Sequence, residues 1–167
     1  MSPIATTERL HLREMTPDDA DHAFLLNSDP EVVRYTGDGP FASVEEARAF
    51  LAAYPDYRRH GFGRWAMMRT ADDAWLGWCG LKRLEDGTVD LGYRLLREHW
   101  GRGYATEAAQ ASLELGFGQF GLETIVGRVA QGNIASIRVL EKLGMRYWKT
   151  DVCDHDPEAL IYRIDRP

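Results

Sequence analysis

Hydrophobic and polar positions change their period where the chain changes element. Val89, Leu91, Tyr93 and Leu95 alternate with Asp90, Gly92 and Arg94, the period of two that predicts a strand with two unlike faces. Beyond the turn Trp100-Gly101-Arg102-Gly103-Tyr104-Ala105 the period lengthens. Ala105, Ala109, Leu113 and Phe117 recur at every fourth residue, one stripe of a helix that runs out in Gly116, Gly118 and Gly121. Thr124 to Ala130 predicts the next strand, so this segment is a βαβ unit with one parallel pairing. Asn133 caps a last helix carrying Ile137, Leu140 and Leu143 and closed by Gly144. Two strands follow, near Tyr147 to Val152 and Ala159 to Ile164, joined by the acidic Asp154-His155-Asp156-Pro157.

Upstream, Glu8 to Glu14 sets Leu10 and Leu12 on one face of a first strand, with Arg9, His11 and Arg13 on the other. Thr16-Pro17-Asp18-Asp19 supplies a capping side chain, an N-terminal proline and first-turn acids for a helix through Phe24 and Leu25. Ser28-Asp29-Pro30 predicts a second, short helix by the same logic. Tyr35 to Pro40 holds too many turn residues to be anything but loop. Ser43 and Glu46 have capping-box spacing and open a helix with Ala47, Phe50 and Leu51 on its apolar side. Arg58-Arg59-His60-Gly61 closes that helix with positive charge at the negative end of its dipole, a simpler account than a basic binding patch. Trp65 to Thr70 and Trp75 to Leu84 are strands joined through Ala71-Asp72-Asp73, and Glu85-Asp86-Gly87 leads from them into the central strand, making an antiparallel meander.

Bulk properties narrow the class. A chain of 167 residues is expected to form one domain, 1–167, with a core that needs neither disulfides nor metal. Its two cysteines, Cys79 and Cys153, have no spacing that suggests a disulfide framework or a zinc site, which fits a reducing, cytoplasmic setting and no metal. The opening residues lack a signal-peptide pattern and no apolar run is long enough to span a bilayer, so a soluble protein without a membrane partner is expected. A net charge of -6 argues against nucleic-acid binding; it suits a cationic partner, and it suits solubility alone.

The glycine turn carries the first chemical signal. A strand that breaks through two glycines into a helix leaves unpaired N–H groups at the positive end of the helix dipole, a cradle for an anion. Glycine that serves only to turn the chain is the competing explanation. A P-loop needs Gly-Lys-Ser/Thr, but Tyr104 follows Gly103; a dinucleotide fingerprint needs a small residue where Thr106 stands.

What remains resembles the GNAT superfamily of acetyl-CoA-dependent N-acetyltransferases, whose motif is Gln/Arg-x-x-Gly-x-Gly/Ala at a helix entry. Here it is Trp100-Gly101-Arg102-Gly103-Tyr104-Ala105, with Trp100 departing from the usual first residue. Leu91-Gly92-Tyr93, the run from Trp100 to Ala108, Asn133-Ile134-Ala135-Ser136 and Glu141-Lys142-Leu143-Gly144-Met145 are similar to the branch of ribosomal-protein N-terminal (alanine/serine) acetyltransferases. The opening Thr7-Glu8-Arg9-Leu10 with Leu12-Arg13 is similar to that branch too, so the likeness covers nearly the whole chain.

The resemblance implies an α/β (α+β) GNAT fold: a central, mixed, mostly antiparallel sheet of six to seven strands with one splayed parallel pair, flanked by about four helices. It implies that Gly101, Arg102, Gly103, Tyr104, Ala105 and Thr106 cradle the phosphates of acetyl-CoA. The cofactor arm lies by Arg94, Leu95 and Leu96, and an amide near Leu95 polarises the acetyl carbonyl. Asn133, on sequence alone an N-cap, also contacts the arm, as does Ser136; Arg102 and Arg138 are candidates for phosphates. Leu140 stands where many relatives carry a tyrosine acid, which leaves Ser136 as the nearest substitute. For the base, Asp90 acts through water, or an acid or imidazole in Asp154 to Asp156 does so. The implied acceptor is a primary amine, either a protein N-terminal α-amine or a small molecule, and the protein is a monomer or homodimer. The alternative is a catalytically silent acyl-CoA-binding module.

Overall fold

Over residues 2–153 and 156–167, which the computed structural model describes, the chain runs β1 (Ala5–Thr6), β2 (Leu10–Glu14), α1 (Ala20–Ser28), α2 (Val44–Ala53), α3 (Asp56–His60), β3 (Arg64–Arg69), β4 (Ala74–Arg83), β5 (Val89–Leu95), α4 (Tyr104–Phe117), β6 (Thr124–Val129), α5 (Ile134–Lys142), β7 (Arg146–Cys153) and β8 (Asp156–Asp165). The strands form one sheet in the order β1-β2-β3-β4-β5-β6-β8-β7. Eight strands, against the six to seven expected, include the two-residue β1. Only the β5 and β6 pair is parallel among the described residues.

Alternation along β2 puts Leu10 and Leu12 fully inside. They join Trp65, Met67, Leu76, Leu81 and Leu91 in the main core, which α4 and α5 cover through Ala108, Ala109, Leu113 and Leu140. The opposite face of the sheet is covered by α1, where Leu26 packs with Ala66, Met68 and Trp75. Full burial of each large side chain contributes about 1.5–3 kcal/mol, so the α4 and α5 layer anchors the sheet.

Five sequence expectations are corrected. No helix starts at Ser28-Asp29-Pro30: this stretch makes only isolated turns, and the Asp29 carboxylate is bound by the Glu31 amide and the Arg97 guanidinium. The helix opened by Ser43 does not reach Arg59; Pro55, without an N–H, holds Tyr54 extended, and α3 begins afresh before Gly61 ends it at φ 81°. Phe50 is half exposed, while Ala47 and Leu51 are buried. On α4 the buried stripe is wider than the fourfold pattern and takes in Ala108, Ala111, Ser112 and Gly116, with Ala105 and Phe117 only partly covered. The strand after the acidic loop begins at Asp156, and Asp154 and His155 lie outside the described residues.

The topology also fixes where a site can form. Strand β5 pairs with β4 from Gly77 opposite Leu95 to Arg83 opposite Val89, yet with β6 only at Asp90 opposite Val126. The two strands therefore part company beyond Asp90. The gap opens toward the start of α4.

Candidate active site

Two left-handed glycines shape the turn into α4, Gly101 at φ 73° and Gly103 at φ 81°, a conformation that costs other residues about 1–2 kcal/mol. Gly103 is the N-cap and offers no side chain to the helix start, and the first amide with a helical acceptor is that of Glu107, which bonds the Gly103 carbonyl. The amides of Tyr104, Ala105 and Thr106 thus face out at the positive end of a fourteen-residue helix. Donors arranged this way fit a pyrophosphate.

Side chains hold the turn from behind. Glu107 accepts from Thr7 Oγ1 at 2.6 Å, the Arg9 amide at 3.0 Å and Arg9 Nε at 2.8 Å, while Arg9 Nη1 donates to the Arg102 carbonyl at 2.9 Å. Burial raises the Glu107 carboxyl, but the bonds from Thr7 and Arg9 outweigh it and the group lies below its ordinary value. Trp100 explains its own departure from the motif: its indole Nε1 donates to the Leu95 carbonyl at 2.9 Å and ties the turn to the end of β5. Tyr104 is buried by its ring, beneath Arg9, so its amide rather than its phenol is presented. Arg102 and Arg138 are exposed.

Leu95 and Leu96 differ in what they offer. The Leu96 amide donates to the Leu76 carbonyl and its carbonyl accepts from His99, so its backbone is spent. By the alternation of an antiparallel ladder, the amides of Tyr93 and Leu95 then point toward β6, on the stretch where β6 has moved away.

A cleft of about 780 Å³ passes through this gap. On the α5 side it is lined by Tyr93, Asn133, Ser136 and Leu140, and on the α1 side by Asn27, Trp78, Asp90 and Arg94, with the loop from Tyr35 to Phe41 above. Asn133 caps α5 by accepting from the Ser136 amide at 3.3 Å. The Ser136 hydroxyl meets that of Tyr93 at 2.6 Å. Burial pushes the Tyr93 phenol up to about 12, against the Ser136 bond, which works downward. Leu140 is buried and lines the same cleft, so the hydroxyl groups nearest its position are those of this pair.

Asp90 sits at the cleft floor, its side chain 5% exposed. Oδ2 accepts from Arg64 Nη2 at 2.9 Å and Oδ1 from Arg128 Nε at 3.3 Å, while Arg64 Nη1 also donates to the Gly80 and Asp90 carbonyls. Each carboxylate oxygen spends one acceptor site on an arginine and keeps another. Asp156 borders the same cleft. Cys79, fully buried against Ser112 and raised to about 11 by that burial, is an inert core thiol. Among the described residues no cluster of His, Cys, Asp or Glu could hold a metal ion, and no helix is long and apolar enough to cross a membrane.

Sequence reasoning passed over Tyr93, Arg64, Arg128 and the side chain of Arg94. The available signals were a phenol on the leucine face of the central strand and charged residues in three strands whose other positions are mostly buried. Arg94 was placed by the cofactor arm, but its side chain turns to the α1 face and bonds Asn27 there.

The model of a GNAT acetyltransferase domain matches residues 9–146. The chain is 36% identical over 143 residues to the uncharacterized N-acetyltransferase p20 of Bacillus licheniformis, covering 84% of this chain and 80% of that one. Its fold superposes on a crystal structure of an acetyltransferase from Agrobacterium tumefaciens with a TM-score of 0.83, 28% identity and coverage of 98% and 95%. A spermidine N-acetyltransferase from Vibrio cholerae, solved with CoA and spermine, gives a TM-score of 0.78 at 17% identity over 96% and 97% of the two chains, a likeness of fold alone.

Proposed function

The chain belongs to the GNAT acetyltransferase family and is an acetyl-CoA-dependent N-acetyltransferase, and from that premise we propose that it acetylates a primary amine entering from the α1 side of the cleft. The α-amine of a protein N-terminus and a small-molecule amine are the two forms of acceptor in view.

Acetyl-CoA supplies the acetyl group as a thioester. The amides of Gly101 to Thr106 bind its pyrophosphate, with Arg102 and Arg138 as solvent-side partners, and the exposed edge of β5 takes the arm, the Leu95 amide donating to the acetyl oxygen as it gains charge. Leu96 supports the arm from the strand end, and Asn133 flanks it. As the amine nitrogen bonds to the acetyl carbon and the carbon–sulfur bond breaks, the Ser136 hydroxyl gives its proton to the departing sulfur and takes the proton of the Tyr93 phenol in its place, and water restores the phenol proton once CoA has left. The phenol, the stronger acid of the pair, donates to Ser136 Oγ, which leaves the serine hydrogen free to point into the cleft. Asp90, through water at its remaining acceptor sites, takes the proton that the amine loses.

The observation that carries this reading is the hydroxyl pair at the gap where the strands part. The test is release of CoA thiol with and without short peptides, spermidine and an aminoglycoside. Amine-dependent release is expected, and Ser136→Ala should lower kcat by about 10²- to 10⁴-fold with little change in the acetyl-CoA KM. Release that is the same with and without every amine would contradict amine acetylation.

A further inference from the structure

Leu95 ends β5 in the gap, and the peptide groups on its two sides are held by different neighbours. On the Arg94 side, a Cβ at Gly77 would meet the Arg94 carbonyl oxygen at 2.0 Å and Leu95 Cα at 2.8 Å, so β5 has no room to shift toward β4. On the other side, the Leu96 amide donates to the Leu76 carbonyl at 2.9 Å. The Leu95 carbonyl, the opposite end of that trans peptide group, therefore points into the gap. In a regular parallel pair it would accept an amide of β6, but among the described residues β6 pairs with β5 only at Asp90. Leu95 is 6% exposed, and a buried carbonyl left bare is unfavourable. The donor it receives instead is the indole Nε1 of Trp100, at 2.9 Å. The short turn Arg97–His99, closed by bonds from the His99 amide to the Leu96 carbonyl and from the Trp100 amide to the Arg97 carbonyl, folds the ring back over five residues.

We propose that Trp100 is a positioning residue for acetyl transfer: its indole N–H stands in for the missing strand at the Leu95 carbonyl and leaves Leu95 a donor only. An amide donor with no acceptor beside it suits a group that accepts without donating, and the carbonyl of a thioester is such a group. An amide of the cofactor arm would pair with a strand through both its N–H and its C=O; it finds the Leu95 carbonyl taken, and that register is closed to it. With the peptide groups on both sides of Leu95 held, its amide also has one direction, as a preorganised donor requires. The nitrogen carries this role rather than the ring, which is 46% exposed with the residue. The inference rests on the acetyl-transfer reading and adds to it a side chain outside the cradle.

Two substitutions in the whole chain divide the indole. Trp100→Phe keeps an apolar ring and loses the N–H; Trp100→His loses the larger ring and keeps an N–H, because Nε2 of an imidazole falls where the indole nitrogen stood. Trp100→Phe should lower kcat about 10-fold. Its acetyl-CoA KM should be no higher than that of the unaltered protein, since an arm amide can now take the Leu95 carbonyl in an unproductive register. Trp100→His should recover most of the lost kcat. Amide hydrogen exchange reads the same bond with no substrate present: Leu96 should exchange faster in Trp100→Phe than in Trp100→His, while amides within α4 exchange alike in both. Trp100→Leu serves if the Phe variant does not fold. A raised acetyl-CoA KM or a lowered Tm with kcat unchanged would make Trp100 a mere support of the turn and overturn the inference. Equal kcat in the Phe and His variants, or equal exchange at Leu96, would overturn it too. No transfer by the unaltered protein to any amine would overturn the acetyl-transfer reading and this inference with it, an outcome distinct from transfer that ignores the substitutions.

Discussion

The cradle at the start of α4 and the cleft beneath the Tyr35 to Phe41 loop are built on different principles. The groups that the proposed cradle offers are backbone amides of consecutive residues, and side chains such as Arg9, Glu107 and Trp100 brace the turn that carries them. The cleft is lined by side chains that pair across long stretches of the chain: Tyr93 with Ser136, Arg94 with Asn27 and Asp38, and Asp90 with Arg64 and Arg128. It follows that side-chain truncation should damage the cleft and spare the cradle, whereas a residue that disturbs the backbone at a glycine should do the reverse.

The largest effect should come from Asp90→Asn. Removing the carboxylate charge breaks the buried pair of Arg64 and Asp90, whose side chains are 13% and 5% exposed, and breaking a buried pair in this way costs about 3–5 kcal/mol. Urea unfolding should show that loss, with turnover falling about 10²-fold or more if Asp90 also takes the amine proton. Undiminished stability would mean that the bond to the neutral amide holds Arg64 as well as the carboxylate does.

Next in size is Tyr93→Phe, which keeps the ring in its place and removes the bond to Ser136. A loss of about 10-fold in kcat, or 1.4 kcal/mol, is expected with the acetyl-CoA KM unchanged. In the Ser136→Ala background the same change should cost almost nothing, because the two hydroxyls act as a unit. Additive losses would show that they work apart.

The smallest effect belongs to the brace behind the cradle. Bonds from Thr7 and Arg9 hold the Glu107 carboxyl below its unfolded value near 4.3 despite its burial. A depressed acid stabilises the fold above the unfolded value, and that contribution is lost as pH falls through the folded one. Glu107→Gln should therefore cost about 0.5–1 kcal/mol at pH 7, discounted because Arg9 is 41% exposed. It should also lose less stability than the unaltered protein when titrated below about pH 4. Parallel acid titrations of the two proteins would show Glu107 to be a spectator.

This contrast also explains what could be read from the sequence. The βαβ unit, the glycine turn and the Asn133 cap each follow from residues that are neighbours in the chain, so period and turn chemistry expose them. Arg94 presents only a polar position on a strand, and nothing nearby announces Asn27, 67 residues away, or Asp38, 56 residues away. Pro55 was a legible stop that the basic run Arg58 to His60 obscured, since those residues close α3 rather than α2. Trp100 was visible as a departure from the motif, but its role depends on how far the chain folds back to the Leu95 carbonyl.

Gly103 tests the backbone cradle most directly, and Gly121 supplies a matched control. Both have positive φ, 81° and 62°; a Cβ would meet only Arg9 Nη2 at 3.4 Å in the first case and nothing within 4 Å in the second. Gly103→Val and Gly121→Val should therefore suffer similar backbone strain, about 1–2 kcal/mol or a few degrees in Tm. At acetyl-CoA near a hundred times its Kd, the unaltered protein and Gly121→Val should gain about 2.7 kcal/mol in thermal unfolding, and Gly103→Val should gain none. A full acetyl-CoA shift in Gly103→Val would contradict the account.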